Sequence, residues 1–148
     1  MQPSPRNTLQ KYTNFLQNVV CGVSSKPQAR DVTKSTKSKK KESTMLSHAV
    51  YFTLKDKDSI DPLIDSCRTH LTDHPGAISF AVGRCAVEYD RQVNDRAFDV
   101  ALEIIFESHA AHDTYQTSDR HLQFIGDNAE KWAQVRVFDV TLDTLTKA

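Results

Sequence analysis

Between residues 45 and 148 the chain switches repeatedly between two periodicities, and the order of the switches leaves few folds open. "SHAVYFTLK" alternates His48, Val50, Phe52 and Leu54 with Ala49, Tyr51 and Thr53, a strand by period and by its β-branched and aromatic content. "DSIDPLIDSCRTHLTDHPG" places Ile60, Leu63, Ile64, Cys67 and Leu71 on one helical stripe. Asp58 or Ser59 can cap this helix, Pro62 is tolerated in its first turn, and Pro75-Gly76 ends it. "AISFAVGRCAVE" returns to period two, polar "YDRQVNDR" reads as a loop, and "AFDVALEIIFE" reads as a third strand. Ser108 can cap a helix over 109–117, and Asp119 a further one with Leu122, Ile125, Ala129 and Trp132 inward. "AQVRVFDVTLD" closes the series as a strand. The resulting βαββα(α)β order predicts an α+β, ferredoxin-like sandwich, with helices on one face of an antiparallel sheet.

The faces of that sheet differ. Ile78, Phe80, Val82, Phe98, Val100, Leu102 and Ile104 form a bulky row for the helices to cover. The opposite row carries Ala77, Ser79, Ala81, Gly83, Ala97 and Ala101, with Asp99 and Glu103 among them. Small side chains admit a second sheet at close range, so this face is expected to pair two copies of the chain about a two-fold axis.

Charge divides the chain at about residue 44. Nine Lys or Arg against two acids give residues 1–44 a charge of +7; of the totals of 19 and 19, ten and seventeen remain for 45–148, giving −7. All six histidines fall in the second part. "TKSTKSKKKEST" cannot bury enough apolar surface to offset its ordering entropy, so 1–44 is expected to be a disordered basic extension preceding a domain over 45–148, with Met45 a second candidate start. "FLQNVVCGV" is too short to span a bilayer. Neither nucleic acid nor membrane is expected as a partner. Cys21, Cys67 and Cys85 form no metal-binding spacing, and a sparse odd count fits free thiols in the reducing cytoplasm.

Several pieces in register resemble a known family. "SHAVYFTLK", "HPGAISFAVG", "RAFDVALEIIFES", "YQTSDRHLQFI" and "WAQVRVFDVTL" are similar to the stress-responsive dimeric A/B barrel (Dabb) family over 46–143, in the family's order. The resemblance implies a homodimer of ferredoxin-like protomers. A plant enzyme of this family cyclises a polyketide to olivetolic acid, with a histidine as base for an aldol closure and a tyrosine holding the substrate. Tyr115 and His121 match those positions, and His48 matches a pocket histidine on the first strand. Two positions depart: Ser118 and Val100 stand where that cyclase has further histidines.

These readings place Tyr115 and His121 as the candidate catalytic pair. A hydrophobic ligand pocket is expected to be lined by His48, Val50, Phe52, Phe80, Val100, Tyr115, His121, Phe124 and Trp132. On one unbroken helix, six residues at about 100° each put two side chains about 120° apart, so the pair can meet only if the helix breaks between them. "TSD" at 117–119 can supply that break. The expected ligand is a hydrophobic molecule or a β-keto acid, with no cofactor and no metal. His109 and His112 lie three apart on a helix, but no third ligand is evident and a solvated face is expected. His70 and His74 flank a helix end, where a cation favours the macrodipole. No GxGxxG, P-loop or GxSxG occurs, which removes nucleotide and serine-hydrolase readings. Three functions remain open: a stress-response protein with a small-molecule pocket, a polyketide-cyclase-like lyase, or a cofactor-free monooxygenase or haem-handling protein like those of other dimeric barrels.

Overall fold

The computed structural model describes residues 44–146; the expected basic extension, save its last residue, lies outside them, and Met45, the alternative start, opens the first strand. The elements run β1 (Met45–Leu54), a 3-10 turn (Lys57–Ser59), α1 (Ile60–Leu71), β2 (Ala77–Arg84), β3 (Val100–Phe106), α2 (His109–Gln116), α3 (Asp119–Asn128), a second 3-10 turn (Ala129–Lys131) and β4 (Trp132–Leu142). The four strands form one antiparallel sheet in the order β2-β3-β1-β4. This is the ferredoxin-like α+β fold expected from the alternation.

Period two sets the central strands. Leu46, His48, Val50, Phe52 and Leu54 of β1 are buried at every second position, as are Val100, Leu102, Ile104 and Phe106 of β3. Across the sheet α1 presents Leu63, Ile64, Cys67 and Leu71, the stripe read from the sequence. Asn128, at the end of α3, is buried and donates to Ser66 Oγ at 2.7 Å and to Phe124 O at 2.9 Å, which ties α3 to α1.

Four local readings need correction. The β2–β3 register slips between Ala77 and Ser79, so Ala77 packs on the core while Ile78, expected beneath the helices, is 50% exposed. A bulge of this kind inverts which face each side chain occupies. β3 starts at Val100, because Asp99 turns to accept from Leu54 N at 2.8 Å and from Lys57 Nζ at 2.6 Å. Phe98 thereby leaves the helix-covered row and packs edge-on against Tyr51, ring centroids 4.9 Å apart. In α3 the buried side chains are His121, Phe124 and Asn128, so Leu122 is exposed and Trp132 opens β4 rather than ending the helix. The cap of α3 is Ser118, whose hydroxyl accepts from His121 N, and not Asp119. At α1, Ser59 occupies the cap position without a side-chain bond, while Asp56 accepts from Asp58 N to close the preceding turn.

Candidate functional site

The break between α2 and α3 brings Tyr115 and His121 together. Ser108 caps α2 by accepting from Ala111 N, α2 ends at Gln116, and Ser118 starts α3. The two rings meet with centroids 4.5 Å apart. Tyr115 is buried at the centre of a ring cluster: His48 lies at 5.8 Å, His74 at 4.8 Å in an edge contact, and Phe106 at 5.1 Å. His112 stands 5.0 Å from His48 and 5.5 Å from Phe106. Four imidazoles from four segments therefore surround one phenol.

The hydrogen bonds assign the tautomers. A carbonyl can only accept, so His121 Nδ1, 3.0 Å from Gln116 O, carries the proton and leaves Nε2 with its lone pair. By the same logic His74 donates from Nε2 to His70 O at 3.0 Å. His48 Nδ1 lies 2.6 Å from Asp139 Oδ1 and donates to that carboxylate. Burial lowers the His121 pKa to about 4, with the neighbouring imidazoles adding to the effect against the Gln116 bond. His74 and His112 are also lowered by burial, so these three rings are neutral near pH 7. The His48 hydrogen bond holds the Asp139 carboxyl below its ordinary range, and burial raises the Tyr115 phenol well above its own, so it stays protonated.

Six of the nine expected pocket residues fall into two groups. His48, Tyr115 and His121 belong to the imidazole–phenol cluster. Phe52, Phe124 and Trp132 form an aromatic group, with Trp132 5.1 Å from Phe52 and 5.9 Å from Phe124. Val50 and Val100 are buried in the core, and Phe80 packs at its margin. The helices leave one side of the cluster uncovered. Val137 and Asp139 of β4 stand opposite Val50 and His48 and so share their face, yet Val137 is 45% exposed and the Asp139 side chain 43%.

Two histidine readings are overturned here. His112 is not on a solvated face; its side chain is 12% exposed, and Nε2 lies 3.7 Å from Asp139 Oδ1. His109 stays outside the cluster, with Nε2 3.2 Å from Thr141 Oγ1. His74 is buried and neutral against Tyr115, not a cation at a helix end. Asp139, unnoticed in the sequence, is brought in by the β1–β4 register, which sets it directly across from His48. His112 was open to discovery, since it sits three residues before Tyr115 on the same helix face.

A family model described as Stress Responsive A/B Barrel Domain matches residues 46–142. The chain belongs to this family. Among solved structures, a Dabb family protein from Mesorhizobium loti, described as having a ferredoxin-like fold, aligns at a TM-score of 0.55 and 18% identity, covering 67% of this chain and 97% of its own. A dimeric ferredoxin-like protein of unknown function from Thermobifida fusca gives 0.56 and 16% over 68% and 93%. The hydroxynitrile lyase of Passiflora edulis gives 0.56 and 20% over 70% and 98%. At these identities the likeness is one of fold. No curated protein matches the chain. Among the described residues no helix is long and apolar enough to cross a membrane.

Proposed function

We propose that this Dabb protein works as a homodimer that binds a small hydrophobic carbonyl compound against the imidazole–phenol cluster and moves a proton on it, in the manner of a polyketide-cyclase-like lyase. The observation that carries this reading is the Tyr115–His121 pair: a neutral imidazole whose Nδ1 is committed to Gln116 O, beside a phenol that remains protonated. His121 Nε2 takes an α-proton, and the Tyr115 hydroxyl donates to the oxygen on which the enolate charge develops. A base with a pKa of about 4 is weak, which favours α-protons acidified by two flanking carbonyls, as in β-keto acids. A ligand carboxylate in the cluster would raise that pKa and strengthen the base. The lyase among the structural neighbours adds support, and the neighbour described as dimeric supports two copies. The outer sheet face exposes Phe138 and Val140 on one edge strand and small Ala81 and Gly83 on the other, a surface a second sheet could approach closely.

The test follows the His121 ring by NMR while a medium-chain β-keto acid is added in D2O. Ligand-dependent shifts of the ring, with deuterium entering the α-position faster than in buffer, are expected. His121→Ala and Tyr115→Phe should keep the fold and lose the exchange. Shifts without exchange would reduce the reading to a binding pocket, and a ring indifferent to every ligand would reject it.

A further inference from the structure

We propose that His48, His112 and Asp139 form a binding site for a divalent first-row transition ion of the zinc class. One donor atom from each of the three lies within 4.8 Å of the others. They come from three elements, β1, α2 and β4, so the fold and not a local motif assembles them. Two ligands of one ion with bonds of about 2.0–2.1 Å stand roughly 3.0–3.4 Å apart. The two separations that end on Asp139 Oδ1, 2.6 Å from His48 Nδ1 and 3.7 Å from His112 Nε2, fall on either side of that range. Small side-chain rotations would bring both into it.

The surroundings suit an ion as well. Asp113 Oδ1 lies 3.6 Å from His112 Nδ1, on the ring nitrogen away from the site, the carboxylate–histidine arrangement that orients a metal ligand. The Gln116 amide, 3.0 Å from His112 Nε2, can turn its oxygen inward as a further neutral donor. Asp139 is half exposed, which gives the ion a path from solvent and leaves room for water as a remaining ligand. Two imidazoles and one carboxylate select zinc, iron(II) or cobalt(II) over magnesium or calcium, which prefer all-oxygen shells. Binding breaks the His48–Asp139 hydrogen bond: the His48 ring moves its proton from Nδ1 to Nε2 by way of solvent, and the freed Nδ1 lone pair goes to the ion.

The experiment uses the full chain, stripped with a chelator and titrated with Co2+ and then Zn2+. Expected are one equivalent of Co2+ per chain with visible d–d absorption and its displacement by Zn2+. His112→Ala and Asp139→Asn should each weaken binding by at least about tenfold with circular dichroism unchanged. Asp139→Asn alters a half-exposed position and keeps the proposal testable if His112→Ala fails to fold. His109→Ala, on the same helix but outside the cluster, should bind as the parent does. Absence of saturable Co2+ binding would overturn the site. So would binding by both variants as tight as the parent's, or intense thiolate charge-transfer absorption pointing to Cys21, Cys67 or Cys85.

Discussion

Acid should destabilise this fold through His121 in particular. The ring is 7% exposed and its pKa is about 4, against 6.5 for a free imidazole. Unfolding releases it to the free value, so between these limits the unfolded chain binds the extra proton. A lowered folded pKa means that the contribution to stability is fully present above about pH 6.5, declines as the pH falls, and is gone below about pH 4. The difference of about 2.5 units corresponds to about 3 kcal/mol, at a limiting slope of about 1.4 kcal/mol per pH unit. His74 and His112, also lowered, add to the slope in the same sense. The lowered carboxyls Asp95, Asp99 and Asp139 start from 3.8 and act below this window. Urea unfolding followed by the fluorescence of Trp132, the single tryptophan, at steps from about pH 7 to about pH 4.5, measures the effect. His121→Asn supplies the comparison: its amide can still donate to Gln116 O but does not titrate. The variant should lose stability with a slope shallower by close to one proton. Parallel loss in the two proteins would show that His121 is not held neutral by the fold, and the assignment of Nε2 as a free base near pH 7 would fall with it.

Two other outcomes are expected. Gly76→Ala should cost about 2–5 kcal/mol in chemical denaturation, because φ is +78°, and an added Cβ would lie 2.5 Å from Ala111 Cβ; left-handed backbone costs about 1–2 kcal/mol and overpacking about 1–3. Ala101→Arg, at the centre of the outer sheet face opposite Tyr51 and Gly83, should turn a dimer into a monomer in light scattering at tens of micromolar, roughly where specific interfaces hold.

The strands were legible because alternation survives in the tertiary structure: a residue facing the helices in β1 or β3 is apolar at nearly every step. Where a side chain found a better local partner, the pattern misled. Asp99 reads as one more outward residue of β3, but its carboxylate satisfies Leu54 N and Lys57, and the strand starts after it. In α3 the apolar stripe through Leu122 and Ile125 competes with one through His121 and Phe124; desolvated and hydrogen-bonded, His121 takes the inward position and rotates the helix by one residue. The Tyr115–His121 contact could be anticipated, since the required helix break was visible in "TSD". Asp139 could not, because nothing in β4 marks it until the register with His48 is known.

That register also bears on the two departures from the cyclase pattern. Ser118 replaces a histidine of that enzyme, yet here its hydroxyl caps α3 by accepting from His121 N, and it also donates to Tyr115 O at 2.8 Å. Its role is to hold the helix break open, and caps of this type are worth about 0.5–2 kcal/mol. Val100 replaces the other and is wholly buried across from Phe52, on the side of the aromatic group. The imidazoles not found at those two positions stand at His74 and His112, reached from the α1–β2 turn and from α2. Of these, His112 lies toward β4, with Nε2 3.7 Å from the half-exposed Asp139 carboxylate, where the helices leave the face open. A substrate or ion that engages Asp139 would meet His112, which the cyclase pattern does not contain, beside His48, which it does.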